Sequence, residues 1–499
     1  MRTLADALAH ARRNHARASA VIDGEQRFDY AQLTERCRRL ALGLRSLGLA
    51  QGDRVAILAA NGHRYLEAFC GIPSGGMIAV PLNTRLAEAE LKAVLRDSGA
   101  RVLLTDRDPG GLATCVERVI AMPHEYEELL ATARDAPAVE LIENEVAALF
   151  YTGGTTGAPK GVMLTHRNLI ANSFHKAVAC SLGASDVFLA APAMFHVAGI
   201  APLLSLVWLG GCTVTLPSFD AAGCLDLIER RKITVAMPVP TMVAALVAEQ
   251  QRAPRDVSSL RMLGHAGSPI SSELIEAAHA TFPRAELAQF YGATETASIV
   301  TCLRNEHRLI GTALLGTCGQ ATPGVAVKIV RGDGSECEPE EVGEITIRGP
   351  NVTPGYWRND AATAAAIEGG WYRSGDLGLL KSDGHLFVVD RLKDMIVSGG
   401  ENVYSIEVEN VLYRHAAVHE AAVFGVPDPK WGEAVHAVVV VDAARATNRA
   451  ALVEELKAFC RASIAGYKVP KQIELSVEPL PKSGPGKIMK RLLRARRAG

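Results

Sequence analysis

The chain has 499 residues, enough for about two to four domains, and 48% of them are hydrophobic, which is ample for large cores. Its 53 basic residues nearly balance 54 acidic ones, and a formal net charge of −1 gives no global attraction to nucleic acid or to a membrane surface. The ten cysteines (37, 70, 115, 180, 212, 224, 302, 318, 337 and 460) form no C-x-x-C pair and no His/Cys cluster at metal spacing, so a reduced, cytoplasmic setting and no structural zinc are expected.

The first twenty residues are rich in Ala and Arg, as in a transit peptide. Leu4, Leu8 and the intervening Asp6 fit the first helix of a domain better, and no apolar secretory core is present. A strand at 54–58, a helix near 64–71, a strand at 77–81, a helix around 88–97 and a strand at 101–105 then follow in order. That alternation predicts right-handed βαβ units on a mostly parallel sheet. Residues 187–219 carry no charge beyond that of His196 and are long enough to cross a bilayer. Pro192, Gly199, Pro202, Gly210 and Gly211 divide them into a strand (187–191), a loop, a core helix (201–209) and a strand (212–216), so no membrane span is expected. A helix at 224–231, a strand at 234–237 and a helix at 242–250 resume the alternation, implying two wound sheets.

From about 315 to 390 the pattern changes to short alternating strands (326–330, 344–347, 385–389) with Gly/Pro/Asp turns, the signature of a small antiparallel barrel. The last 109 residues read as a compact α+β module: helix 405–413, strand 418–424, strand 434–441, helix 449–463. The fold expected is α/β, with two wound subdomains and a small β-barrel in an N-terminal domain (1–390), followed by a small mobile domain (391–499) jointed near Lys393.

Tyr151-Thr152-Gly153-Gly154-Thr155-Thr156-Gly157-Ala158-Pro159-Lys160-Gly161 follows the apparent end of a strand. Glycines turn backbone N–H groups toward an anion, threonines add hydroxyls and Lys160 adds charge, so the run suits a polyphosphate. It is not the usual mononucleotide loop, because Pro159 precedes the lysine and Gly161 follows it. A plain surface loop is the alternative on these residues alone.

Further segments occur downstream: Tyr291-Gly292-Ala293-Thr294-Glu295-Thr296, Gly349-Pro350-Asn351-Val352 with Gly355-Tyr356-Trp357, Gly370–Gly378 with Ser374-Gly375-Asp376, Asp390-Arg391-Leu392-Lys393-Asp394, and Gly486-Lys487-Ile488. In order and spacing these motifs closely resemble the adenylate-forming superfamily of acyl-CoA synthetases (fatty-acid and 4-coumarate ligases among them), peptide-synthetase adenylation domains and beetle luciferases. The resemblance spans essentially the whole chain, and six motifs in the correct order are specific.

The resemblance implies an acid, ATP and Mg²⁺ giving acyl-AMP and pyrophosphate, after which a thiol, favoured as coenzyme A, displaces AMP. Thr152, Gly153, Gly154, Thr155, Thr156, Gly157 and Lys160 would hold the departing phosphates. Tyr291 offers a flat face to adenine, or is a buried core tyrosine. Thr294 offers a hydroxyl to the α-phosphate and Glu295 an oxygen to Mg²⁺; on residues alone the pair is equally a structural cap. Asp376 suits both ribose hydroxyls or a plain turn, and Arg391 suits ribose and phosphate or a salt bridge.

Lys487, in an exposed Gly-Pro-Gly loop, would contact both anions as a carboxylate attacks the α-phosphate. Similar enzymes rotate the small domain about the position of Lys393 between the two half-reactions. That brings Ser398, Gly399 and Gly400 to the acyl group, where glycines permit a thiol arm to approach.

Amino-acid-activating relatives carry Phe-Asp where this chain has Phe195-His196, so no carboxylate balances an ammonium and the acid should lack an α-amine. Phe195, His196, Val197, Ala198, Met242, His265, Ala266, Gly267, Gly292 and Ala293 are the expected acyl-pocket walls. They favour a fatty or aryl-alkyl acid, with His196 and His265 read as a gate or as satisfied core histidines. Lys468 is either a contact for a CoA phosphate or a surface lysine. Gly153, Ser374 and Ser405 depart from the usual serine, threonine and proline. A carrier-protein-loading ligase and a non-catalytic nucleotide sensor are the competing readings, and a homodimer is compatible with the family.

Overall fold

The computed structural model describes residues 2–135, 137, 139–152, 159–267, 270–442, 448–482 and 488–498, the last three by backbone only. The chain divides into two compact units, one of residues 1–326 with 347–372 and the other of 327–346 with 373–499.

The first unit holds two sheets. In the larger, nine strands lie in the order Gln320–Ala321, Thr301–Arg304, Glu286–Tyr291, Met262–Ala266, Val235–Ala236, Val187–Ala190, Cys212–Thr215, Ser19–Asp23, Gln26–Asp29. Its centre is parallel and its edges antiparallel. The central strands are apolar on both faces because both are covered. Phe188, Ala190, Val235, Met237, Met262, Ala288 and Phe290 share a core with helices His166–Ala179 and Val197–Leu209. Alternate residues Leu189, Ala236, Leu263 and Leu287 face helices Ala221–Arg231, Pro240–Arg252 and Ser272–Thr281.

The six-stranded sheet runs Arg118–Ala121, Val102–Thr105, Arg54–Leu58, Ile78–Pro81, Val146–Thr152, Lys160–Thr165, and only its last pairing is antiparallel. That last pair is the hairpin from which the glycine-rich loop springs.

The apolar run from 187 resolves into strand, helix and strand, and no helix among the described residues is long and apolar enough to cross a membrane. One boundary differs from expectation: the helix starts at Val197 rather than 201. Gly199 is not a breaker there. A Cβ at this position would lie 2.2 Å from the Ala193 carbonyl oxygen, so glycine lets the first helical turn close against the preceding loop.

The second unit contains most of a five-stranded sheet (Ala326–Val330, Gly343–Arg348, Ile367–Glu368, Trp371–Leu380, Leu386–Arg391), the half-barrel counterpart of the expected small barrel. It also contains the α+β module, in which strands Glu420–Asp428 and Gly432–Val440 pair along their whole length. The two strands extend further toward their turn than the expected 418–424 and 434–441, with Gly425 and Pro427 inside the ladder. Helices Ser405–Tyr413 and Arg449–Ser463 close the core around Val408, Leu412, Val423, Val439 and Leu456.

A polar network crosses this module. Buried Asp390 accepts the backbone N–H of Ser405, the Ser405 hydroxyl at 3.0 Å and the Arg391 N–H at 2.7 Å. Lys490 Nζ reaches Ser405 Oγ at 2.6 Å and Glu409 at 2.7 Å. Burial pushes the Asp390 carboxyl above its ordinary pKa, and Lys490 opposes that rise. Ser405 therefore has work that a proline could not do, since proline has no N–H. It also occupies the first helical position, which proline tolerates. Ser405→Pro is accordingly expected to cost about 1–3 kcal/mol in urea unfolding, more than Ser405→Ala, which keeps the N–H. Equal stability of the two variants would show that the Asp390 contact contributes little.

Candidate active site

The residues assigned to the nucleotide fall in both units, and each group is described within its own. In the first unit, Thr152 and Lys160 face each other at the head of the hairpin, while Gly153, Gly154, Thr155, Thr156 and Gly157 lie outside the described residues. Lys160 Nζ stands 5.4 Å from the Tyr356 ring centroid. The Tyr356 hydroxyl donates to Glu295 Oε1 at 2.9 Å. Lysine, aromatic ring and carboxylate are thus contiguous. Burial, reinforced by Glu295, raises the Tyr356 pKa, so the phenol stays protonated and remains a donor.

Glu295 sits in the short helical turn Thr294–Thr296, just after strand Glu286–Tyr291. Asn172 and Asn351, both buried, donate to the carbonyls of Thr296 and Ile299 at 2.9–3.3 Å, and the Thr353 N–H donates to the Glu295 carbonyl at 2.8 Å. Asn168 donates to Pro350 and Val352 carbonyls, fixing the segment that carries Asn351. Sequence reasoning quoted Asn351 and Tyr356 within motifs but gave them no role. The polar pair Asn168 and Asn172, one turn apart on a largely buried helix, was the available signal for the rest.

Gly292 also proves to have another reason. Its missing Cβ leaves room for the Ser298 carbonyl oxygen, which would otherwise be 1.9 Å away, rather than only for a substrate.

The acyl-pocket residues separate into two sets. Phe195 and His196 precede helix Val197–Leu209, with ring centroids 4.5 Å apart. Val197 is buried and Ala198 is exposed. Asn61 holds their loop: it donates to Ala190 and Pro192 carbonyls at 3.1 and 3.0 Å and accepts the Met194 N–H at 2.8 Å. Burial, with a smaller contribution from Arg85, lowers the His196 pKa to about 4, so this ring is neutral at pH 7, and its buried Nε2 has no hydrogen-bond partner among the described residues.

Ala266 and Gly267 end the neighbouring strand, Gly292 and Ala293 follow the next one, and Met242 lies in the first turn of Pro240–Arg252. His265 is placed differently. Strand alternation turns it to the face opposite Ala266, where Nε2 meets buried Glu306 at 2.7 Å; Nδ1, also buried, has no hydrogen-bond partner among the described residues, so this core histidine is satisfied at one nitrogen.

In the second unit, Asp376 and Arg391 are cross-strand partners, with Oδ1 and Nε 3.2 Å apart. Lys393 is exposed in the turn after Leu386–Arg391. Ser398 and Glu401 pair in a hairpin whose tip is Gly399 and Gly400, at φ of 65° and 87°. Gly399 lies beneath Trp431, and a Cβ there would be 2.9 Å from the indole. Lys468 is ion-paired with Glu407 at 2.7 Å. Lys487 lies outside the described residues; Lys482 and Ile488, which flank 483–487 in sequence, form an antiparallel bridge.

Residues 8–357 match the model of the AMP-binding enzyme family, and residues 407–487 match that of the AMP-binding enzyme C-terminal domain. The chain belongs to the AMP-binding enzyme family. Among relatives in this family, a feruloyl-CoA synthase of Amycolatopsis sp is 40% identical over 96% of both chains. A fatty acid–[acyl-carrier-protein] ligase of Streptomyces coeruleorubidus is 34% identical over 96% of this chain and 93% of its own. The o-succinylbenzoate CoA synthetase of Bacillus subtilis, solved with its acyl-adenylate intermediate, is 33% identical with a TM-score of 0.87 over 98% and 97% of the two chains. The same enzyme solved with ATP and a magnesium ion is 32% identical at the same TM-score, over 99% of both.

Two outcomes follow from this geometry. Tyr356→Phe removes a hydrogen bond to a carboxylate, a contribution of about 1.5–3 kcal/mol. With Glu295 as the Mg²⁺ ligand that the sequence leads one to expect, the substitution should raise the Mg²⁺ concentration needed for half-maximal ATP–pyrophosphate exchange roughly tenfold or more; an unaltered Mg²⁺ titration would remove Tyr356 from the site.

The second concerns pH. Burial lowers His166, His175 and His196 to about 4 from 6.5. The unfolded chain therefore takes up protons first as pH falls. Stability is complete above about pH 6.5 and is lost as pH drops toward 4, by on the order of 1–3 kcal/mol per histidine. His196→Asn should flatten that slope in urea titrations at pH 8, 6 and 5, and an unchanged slope would show that His196 does not contribute.

Proposed function

We propose that this protein joins a carboxylic acid lacking an α-amine to coenzyme A, through an acyl-adenylate and with release of pyrophosphate and AMP, and that the acid is fatty or aryl-alkyl. The observation that carries the reading is Glu295, fixed by Tyr356 beside Lys160, on a chain matched end to end by acid–CoA ligases. Neutral His196 supports the choice of acid, because a buried ammonium there would find no counter-charge in it.

The donor set fits its ligands. Glu295 presents the hard oxygen that Mg²⁺ prefers, and when bound the ion offsets phosphate charge during attack. Lys160, Thr152 and the 153–157 segment would hold the β- and γ-phosphates, Thr294 the α-phosphate, and Tyr291 the adenine. Asp376 would take the ribose hydroxyls, with Arg391 beside it for ribose and phosphate. Lys487 would touch both the attacking carboxylate and the α-phosphate, where negative charge accumulates. Lys393 is the joint of the small domain, and Ser398, Gly399, Gly400 and Lys468 line the approach of the thiol arm.

An ATP-dependent CoA-consumption screen over short, medium, long and aromatic acids, run beside a phosphopantetheinyl carrier as alternative acceptor, tests this reading directly. Pyrophosphate exchange with none of them would refute it. Lys487→Ala should nearly abolish adenylate formation yet still convert supplied acyl-AMP and CoA to thioester. Lys393→Pro should do the reverse, and equal loss of both half-reactions in either variant contradicts the assigned role.

A further inference from the structure

Lys176 lies within helix His166–Ala179 and is only 2% exposed. Its Nζ is 3.7 Å from the Met237 sulfur and 4.9 Å from the Phe290 ring centroid. Among the described residues no carboxylate pairs with it, and the acidic groups acting on it are the thiols of Cys180 and Cys302. Burial pushes its pKa down. A thioether and a ring face are poor replacements for water around an amine, and a methionine or leucine would fill the same space without that penalty.

The amine is also on a particular face. Phe290 and Ala266 are register partners on adjacent parallel strands. Gly264 belongs to that face as well, since a Cβ there would meet Phe290 at 2.6 Å and Met237 at 3.3 Å. Phe195 and Val197, at the start of helix Val197–Leu209, belong to the same core as Phe290 and Met237. His265, by contrast, is turned away to Glu306. Met237 and Phe290, the contacts of Lys176, thus lie on the sheet face that carries Gly264 and Ala266 and in the core that includes Phe195 and Val197.

We infer that Lys176 is a specificity-determining residue at the inner end of the acyl pocket, where it reads a second oxygen function, a phenolic hydroxyl or a carboxylate, at the far end of the acid. The inference rests on the pocket assignment proposed above. A phenol donates its O–H to the neutral amine, whereas a carboxylate accepts from the ammonium. Either gives the nitrogen the oxygen partner that Met237 cannot supply.

The test compares kcat/KM for ATP–pyrophosphate exchange with 4-hydroxycinnamate against cinnamate and with octanedioate against octanoate. The wild type should favour the oxygen-bearing member of one pair. Lys176→Met should lower that member about ten- to hundredfold, mainly through KM, and leave the parent acid within about twofold. A preference for the phenol identifies the neutral amine as the reader, and one for the diacid identifies the ammonium.

Lys176→Gln, which keeps a hydrogen-bonding group, guards against a folding defect. It should retain discrimination for the phenol and lose it for the diacid. Parallel losses for both members of each pair, or a wild type that gains from neither oxygen, overturn the inference. Ala198→Trp separates the underlying assignment: if it leaves chain-length preference unchanged the pocket itself is misplaced, whatever Lys176 does.

Discussion

The turn Thr294–Thr296 is held by neutral hydrogen bonds, and the placement of Glu295 depends on them. Asn172 and Asn351 approach the same two carbonyls, of Thr296 and Ile299, and Asn168 fixes the chain on either side of Asn351. The backbone needs that grip. Ala297 and Ser298 have φ of 55° and 123°, conformations that side-chain-bearing residues adopt only when their surroundings enforce them. Amides rather than charges do the enforcing, so the geometry around Glu295 is insensitive to pH and salt near neutrality.

Charged groups follow a complementary rule. Arg36 engages buried Glu67 at 2.6 Å and Glu127 at 2.9 Å, and Asp186 engages Arg261 at 2.6 Å, so these ions are closely paired. At the positions assigned to ATP the pairing is looser. Arg391 and Asp376 are 3.2 Å apart, with the arginine side chain 40% exposed, and Lys160 rests on a ring face. An exposed pair of this kind contributes at most about 1 kcal/mol, so a ribose or phosphate can rearrange it at little cost. Tight pairs build the fold, and loose ones remain available for exchange.

Much of this architecture was legible in the sequence, because strand and helix periodicity is local. Helices Ser405–Tyr413 and Arg449–Ser463 and strands Arg54–Leu58 and Ala326–Val330 have the bounds that their apolar spacing predicts. Glycines were harder to read. Gly199 looked like a break, yet it serves close packing against Ala193. The site was legible where a motif is contiguous, as in Thr294-Glu295. It was not where partners are remote: Tyr356 meets Glu295 across 61 residues, and Glu306 meets His265 across 41. Nothing near either residue in sequence announces such a pair.

The buried nitrogens that lack good partners are informative for the same reason. Most buried polar groups in this chain are satisfied in detail: Asn61 uses both ends of its amide, and Asp390 accepts three hydrogen bonds. Among the described residues, by contrast, His196 Nε2 has no hydrogen-bond partner, and Lys176 Nζ has only a sulfur and a ring. His196 adjoins Phe195, and Phe195 shares one core with the Met237 and Phe290 that contact Lys176. Buried side-chain atoms without a partner among the described residues also occur elsewhere, on Tyr65, His279 and Trp357 for example, so what singles out these two is position: His196 is itself assigned to the acid, and the Met237 and Phe290 that Lys176 touches share a core with Phe195 and Val197.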